Sequence, residues 1–212
     1  MNKHKPLVLI GGGGHASVLA DILLGQGRDI VAVISPDDLS SRAVFAGLTH
    51  LTQDEEVKRF SPESVHLVNG IGMLPRSRLR QRVNQRFLEL GYQFETVIAS
   101  DAHVSRFATI HSGAQILSGA RVQTGAVIGE HTIVNSGALV EHDCQIGAYN
   151  HIAPRATLCG QVASEAQVFI GAGATILPGI NLGQNSIVGA GVTILSHVST
   201  ETVVVGKLNS KQ

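Results

Sequence analysis

Residues 104–193, cut every six residues, read VSRFAT IHSGAQ ILSGAR VQTGAV IGEHTI VNSGAL VEHDCQ IGAYNH IAPRAT LCGQVA SEAQVF IGAGAT ILPGIN LGQNSI VGAGVT. Of the sixteen positions spaced by six from Val104 to Ile194, fifteen are Val, Ile or Leu, and Ser164 is the exception. Moving the frame by one residue leaves only Leu117, Leu177 and Leu195. Three residues after the aliphatic position comes glycine, at Gly113, Gly119, Gly125, Gly137, Gly173, Gly179 and Gly191, often followed by alanine. A period of six fits neither a helix nor an alternating strand. It fits a parallel β-helix, in which each hexad is one short strand plus a turn and three hexads close a coil. The aliphatic residue then points inward, and glycine supplies positive φ at the corners. The stretch holds about five such coils of 18 residues. Where SEAQVF breaks the pattern, at Ser164, a local distortion is expected.

The chain before this stretch has a different texture. An apolar strand over Lys5–Ile10 leads into Gly11-Gly12-Gly13-Gly14 and a helix over Ala16–Leu24, with Val18, Leu19, Ile22 and Leu23 on one side. Asp29–Ile34 reads as a second strand ending in Ser35-Pro36-Asp37-Asp38, and Val65–Val68 as another, followed by Asn69-Gly70-Ile71-Gly72. Pro75–Leu90 carries Leu79, Val83, Phe87 and Leu90 at helical spacing behind a proline suited to the first helical position. Its Arg76, Arg78, Arg80, Arg82 and Arg86 read as a solvated face rather than a phosphate site. Phe94–Ile98 is a last strand. Residues 1–98 are thus expected to form a Rossmann-like α/β unit, and residues 99–212 the β-helix.

Composition narrows the function. Sixteen Lys+Arg balance sixteen Asp+Glu, so the chain lacks the basic field that a nucleic-acid backbone requires. Two cysteines, Cys144 and Cys159, make no disulfide framework and suit a reducing compartment, where they read as small coil-packing residues. No apolar run reaches the length of a membrane span, and Leu7–Ile10 is too short for a signal peptide, so a cytoplasmic protein is expected. The ten histidines match no tight ligand spacing, and no metal is expected.

Two segments carry chemistry. Gly11–Gly14 followed by His15 and Ala16 lies between a strand and a helix, where backbone N–H groups make an anion site, and Asp37 follows about 20 residues on. The motif suits a dinucleotide or the nucleotide of an activated sugar. Only one mononucleotide half is present, which favours the sugar. In Val140-Glu141-His142-Asp143-Cys144, His142 lies two residues beyond an inward position and faces out. A carboxylate beside it can fix its tautomer for general-base work. One coil of 18 residues puts Thr124 below His142 and Gly160 above it, where glycine leaves space over the imidazole.

The glycine turn, the hexads and NSGALVEHDCQIGAYNHIAP, taken together, resemble the bacterial hexapeptide-repeat sugar acetyltransferases. These include the sialic acid O-acetyltransferase and the nucleotide-linked 4-amino-sugar N-acetyltransferases. The resemblance runs from Leu7 to about Val205. It implies a left-handed β-helix and a homotrimer with acetyl-CoA in the groove between neighbours. It further implies acetyl transfer to the amino group of a nucleotide-linked sugar, with O-acetylation of sialic acid or a related hydroxyl as the alternative and a non-catalytic scaffold as a third reading. Carried over by position, His142 is the base, Asp143 raises its basicity, and Asn135 orients the acceptor. His151, Ala172 and Ala190 are acetyl-CoA contacts, and Gly160 joins them. Gly11, Gly12, Gly13, Gly14, His15, Ser35, Pro36, Asp37 and Gly70 hold the sugar nucleotide. The family closes its β-helix with a Val-Pro-Ala-Lys-like stretch, whereas this chain reads Val205-Gly206-Lys207-Leu208-Asn209.

Overall fold

In a computed structural model, which describes residues 4–206, the chain divides between Ser100 and Asp101 into two compact units. In the first, a four-stranded parallel sheet is ordered β3-β2-β1-β4, with β1 Leu7–Ile10, β2 Ile30–Ile34, β3 Thr49–Leu51 and β4 His66–Asn69. Helix α1 (Gly14–Gly25) connects β1 to β2, and α2 (Leu79–Glu89) follows β4. Leu7, Val8, Leu9, Val33, Leu67 and Val68 are wholly inaccessible, as expected of strands covered on both faces. Because β2 and β4 flank β1 on opposite sides, the winding of the sheet changes direction at β1 while all strands stay parallel, and a crevice opens at their carboxyl ends. Below it, Glu95 joins Arg28 (3.0 Å) and His66 (2.8 Å).

Three details differ from the sequence reading. Pro75 does not open a helix: Ser77 N–H donates to the Leu74 carbonyl in a tight turn with Arg76 at φ 63°, and α2 starts at Leu79. The buried side of α2 is Arg80, Asn84 and Phe87, while Leu79 and Leu90 are nearly half exposed. Arg80, expected in solvent, is 3% exposed. On α1 the buried side is Ala16, Leu19, Ala20 and Leu23, and Val18 points outward.

The second unit is a parallel β-helix of two-residue strands. Pairing is offset by 18 residues from coil to coil, as in Val127↔Gln145↔Ala163↔Asn181, and shortens to 16 only in the last turn, at Ile187↔Val203, so each coil gives one strand to each of three sheets. The first face runs through Thr109–Ile110 and Gln145–Ile146, the second through Ile133–Val134 and His151–Ile152, and the third through Leu139–Val140 and Thr157–Leu158. The second residue of each strand points inward, and these residues form one continuous apolar column with Ala114, Ala120, Ala126, Cys144 and their equivalents. Corners sit in the left-handed region at glycines and at His131, Asp143, Tyr149, Arg155, Gln161, Gln167 and Asn185.

Ser164 does not distort the coil. It pairs with Ile146 below and Leu182 above like any aliphatic residue. Its hydroxyl accepts a hydrogen bond from Asn150 Nδ2 (2.5 Å), and Asn150 Oδ1 in turn accepts from Val168 N–H (2.7 Å). A satisfied polar group inside the column costs little, so the ladder continues through it.

Candidate functional site

His142 and Asp143 stand on the edge between the third and first faces, in the corner after Leu139–Val140. Backbone pairing clamps this corner from both neighbouring coils: Asp143 N–H donates to the Thr124 carbonyl (3.1 Å), and Gln161 N–H to that of His142 (2.9 Å). Asp143 sits at φ 61°, with its side chain over Gly125 of the coil below. Its Oδ2 lies 2.9 Å from His142 Nδ1. A carboxylate only accepts, so Nδ1 carries the proton and Nε2 presents its lone pair. Both side chains are more than half exposed. A β-carbon on Gly160 would lie 2.6 Å from Nε2, so the imidazole fills the space this glycine leaves.

The other residues picked out in this unit lie elsewhere. Asn135 is in the corner between the second and third faces, where its side-chain oxygen accepts from Ser136 N–H (2.7 Å). Ala172 and Ala190 are exposed on that same edge, stacked through Gly191 N–H to the Ala172 carbonyl (2.8 Å). A single chain therefore does not bring Asn135, Ala172 or Ala190 to His142. His151 is buried, its ring stacked on Phe169 with centroids 5.0 Å apart. A second hollow, about 610 Å³, lies over the first face near Gln145, Ala163, Asn181 and His197, and none of the sequence-picked residues lines it. Burial pushes the Cys144 thiol up to about 11, and its Sγ donates to the Cys159 carbonyl (3.2 Å), the behaviour of a packing residue. Lys207–Asn209 lie outside the described residues. Among the described residues, no group of three or more His, Cys, Asp and Glu is arranged to hold a metal.

The first unit contains a cavity of about 520 Å³ at the carboxyl ends of its strands. All nine residues read as nucleotide-sugar contacts line it: Gly11, Gly12, Gly13, Gly14, His15, Ser35, Pro36, Asp37 and Gly70. Gly11 N–H donates to the Ile34 carbonyl and Gly70 N–H to that of Ile10, each at 2.7 Å, so the loops leaving β1 and β4 are pinned to the adjoining strands. The glycines differ in what they allow. A β-carbon on Gly70 would meet that of Ala16 at 2.6 Å, so Gly70 lets β4 approach α1. Beside Gly13 and Gly14 there is open space, and the N-terminus of α1, which no side chain caps, faces it. Uncapped first-turn N–H groups and the positive end of the helix dipole suit an anion. Gly13, at φ −79°, is in an ordinary extended conformation. Sequence reading missed Ile10, Ile34, Asp54, Ile71, Gly72, Leu79 and Val83, which complete the lining. Leu79 and Val83 had the spacing of core residues; Leu79 is exposed, and Val83 packs against the core while also lining the cavity.

Comparison with known proteins bears on both units. Residues 6–87 match the PglD N-terminal domain, residues 125–160 the bacterial transferase hexapeptide (six repeats), and residues 165–196 the hexapeptide repeat of succinyl-transferase. The first unit is thus similar to the PglD N-terminal domain, and the second to the hexapeptide repeats of bacterial transferases. The chain is similar to a GDP-perosamine N-acetyltransferase of Escherichia coli O157:H7, 35% identical over 114 residues, which are 54% of this chain and 51% of the relative. The matched stretch thus spans about half the length of that curated relative. Among solved structures it resembles PerB of Caulobacter crescentus in complex with CoA and GDP-perosamine, with TM-score 0.85 and 29% identity over 96% of this chain and 95% of that one. It also resembles the acetyltransferase domain of PglB from Neisseria gonorrhoeae in complex with acetyl coenzyme A, with the same score and identity over 96% and 97%. The architecture is theirs, an α/β unit followed by a left-handed parallel β-helix.

Proposed function

We propose that this protein transfers an acetyl group from acetyl-CoA to the amino group of a nucleotide-linked amino sugar, with His142 as general base. The observation that carries the reading is the His142–Asp143 pair at 2.9 Å, with Nε2 turned into the space over Gly160. A protonated amine is no nucleophile, so its proton must be taken as it attacks the thioester carbonyl. Nε2 is the atom to take it, and Asp143 keeps the proton on Nδ1 and stabilises the imidazolium that forms. A base in this position contributes on the order of 10²–10⁴-fold. Thiolate is a good leaving group, so the acetyl group passes directly within a ternary complex, and backbone N–H groups of the coil stabilise the oxyanion.

The cavity of the first unit supports the choice of acceptor. Uncapped helix N–H groups suit a diphosphate, and the apolar Ile71, Leu79 and Val83 suit a flat or deoxygenated moiety. The similarity to a GDP-perosamine N-acetyltransferase and to PerB in complex with CoA and GDP-perosamine points the same way. Because Asn135, Ala172 and Ala190 occupy a different edge from His142, the reading includes a homotrimer in which one copy presents that edge to its neighbour's His142. It also places the reaction in the cytoplasm, where both substrates are made; no helix among the described residues is long and apolar enough to cross a membrane.

The test is incubation with acetyl-CoA and a panel of nucleotide-linked amino sugars, following thiol release and the mass of the sugar. Thiol release with a product heavier by one acetyl group supports the proposal. Release with hydroxyl acceptors alone supports O-acetylation, and silence across the panel from folded protein leaves the scaffold reading. Light scattering that finds a monomer at micromolar concentration rejects the trimer.

A further inference from the structure

We propose that Arg80 is a positioning residue that sets the shape of the cavity in the first unit; its consequence for activity rests on reading that cavity as the acceptor site. Among the arginines on and just before α2, Arg76, Arg78, Arg82 and Arg86 are exposed, and Arg80 alone is buried. Burying a guanidinium is expensive, and an aliphatic residue would fill the same space at lower cost. The guanidinium supplies a pair of bonds that an aliphatic residue cannot. Its Nη1 donates to the Asn69 carbonyl (2.9 Å) and to the Ile71 carbonyl (2.8 Å), the residues on either side of Gly70.

Gly70 cannot be anchored by a side chain of its own, because Ala16 and the Ile10 carbonyl stand within 3 Å of where a β-carbon would be. The backbone here is instead held from α2. Asn69 returns the bond: its Nδ2 donates to the Arg80 carbonyl (3.2 Å) and to Asn84 Oδ1 (2.5 Å), and its Oδ1 accepts from Ile71 N–H (2.9 Å). The clamp is therefore reciprocal, tying the end of β4 to the first two turns of α2. Each element it joins is a cavity wall: Gly70, Ile71 and Gly72 on one side, Leu79 and Val83 on the other. Their separation, and so the width offered to a nucleoside-diphosphate-linked sugar, follows from one buried guanidinium. Both bonds leave from the one planar Nη1, whose two N–H directions are fixed; a lysine ammonium has donors enough but sits one bond short of that position on a flexible stem, so it does not hold the two carbonyls at this spacing.

Calorimetric titration with GDP and UDP, steady-state kinetics and amide exchange on Arg80→Lys and Arg80→Met test this. In both variants affinity for the bound nucleotide and KM for the acceptor should worsen by about tenfold or more, the scale of a small misplacement of a binding wall. Exchange should rise at residues 70–72 and not in β1, with kcat and the KM for acetyl-CoA within about twofold of the parent. Wild-type affinity and exchange in folded Arg80→Met overturns the proposal. So does exchange that rises throughout the unit, or a parallel loss of acetyl-CoA affinity, since either marks a role in stability alone. If Arg80→Met does not fold, Asn84→Ala, which removes the acceptor that orients Asn69 and leaves Arg80, is judged by the same readouts. A wild-type protein that binds neither GDP nor UDP refutes the acceptor reading, while exchange at residues 70–72 still decides the clamp.

Discussion

Gly160 stands one coil above His142, and any side chain on it would occupy the position of the imidazole: a β-carbon there would lie 2.6 Å from both Cε1 and Nε2. The ring is more than half exposed and tied only to the equally exposed Asp143, so moving it aside is cheap for the fold and costly for the chemistry. Gly160→Ala should therefore leave the melting temperature within about 2 °C of the parent and lower kcat by on the order of 10²-fold, as misplaced catalytic groups do. A variant with full activity would mean that the imidazole works from another rotamer.

His142→Ala should lower kcat by at least roughly 10²-fold with the fold and acetyl-CoA affinity unchanged, because an exposed edge residue adds little to the apolar column. Asp143→Asn should cost less, since it weakens the hold on Nδ1 and leaves the base in place. The left-handed corner tolerates asparagine as well as aspartate, so the comparison is not confounded by backbone strain. Near-full activity in His142→Ala would move the search to His15, which lines the cavity.

The glycines of the first unit should separate binding from packing. Gly13→Val, with ordinary φ and open space around it, should leave stability nearly intact and weaken nucleotide-sugar binding by about tenfold or more. Gly70→Ala forces a methyl group against Ala16 and should cost about 1–3 kcal/mol, read as a fall in melting temperature. Titration and thermal melts on the two variants check both halves. If acetyl-CoA binding fails in Gly13→Val while the sugar nucleotide is unaffected, the ligands have been assigned to the wrong units.

Alkaline pH should reveal Cys144. Its thiol ionises near 9.0 when solvated and is held neutral to about 11 in the fold. Between those values the unfolded chain binds fewer protons than the native one, so this contribution is intact below pH 9 and is lost as pH rises toward 11. The full loss is about 1–3 kcal/mol. Denaturant midpoints across this range should fall less steeply in Cys144→Ala than in the parent, whatever the offset caused by the lost side chain. Parallel curves would show that the thiol is solvated in the native state.

The β-helix was legible because a six-residue aliphatic period is rare and admits one architecture. The strands of the first unit were legible from continuous apolar runs. Two of the misreadings, Ser164 and Arg80, share a cause: a polar group whose partner is remote in sequence. Ser164 broke the pattern on paper, and Asn150 supplies its hydrogen bond in space. Arg80 looked solvated because nothing local signals the Asn69 and Ile71 carbonyls. The alternation of burial along α2 then follows from that arginine, not from Leu79 and Val83. The separation of Asn135 from His142 needed no partner to predict. Seven residues exceed one hexad, so the two cannot share an edge, and the arithmetic was already in the register.

The offset of 18 residues on either side of His142 gives the repeat a phase as well as a period. Excising six residues upstream of His142, within the β-helix, would return every later aliphatic residue to an inward position, and the column would close as before. His142 and Asp143 would nonetheless be carried a third of the way around the axis, onto a different edge. Removing a complete coil would restore them to their own edge and merely shorten the prism below. Folding counts in hexads and chemistry counts in coils, so insertions and deletions that leave the protein soluble should sort by divisibility: multiples of 18 preserve the His142 edge, and other multiples of six abolish it.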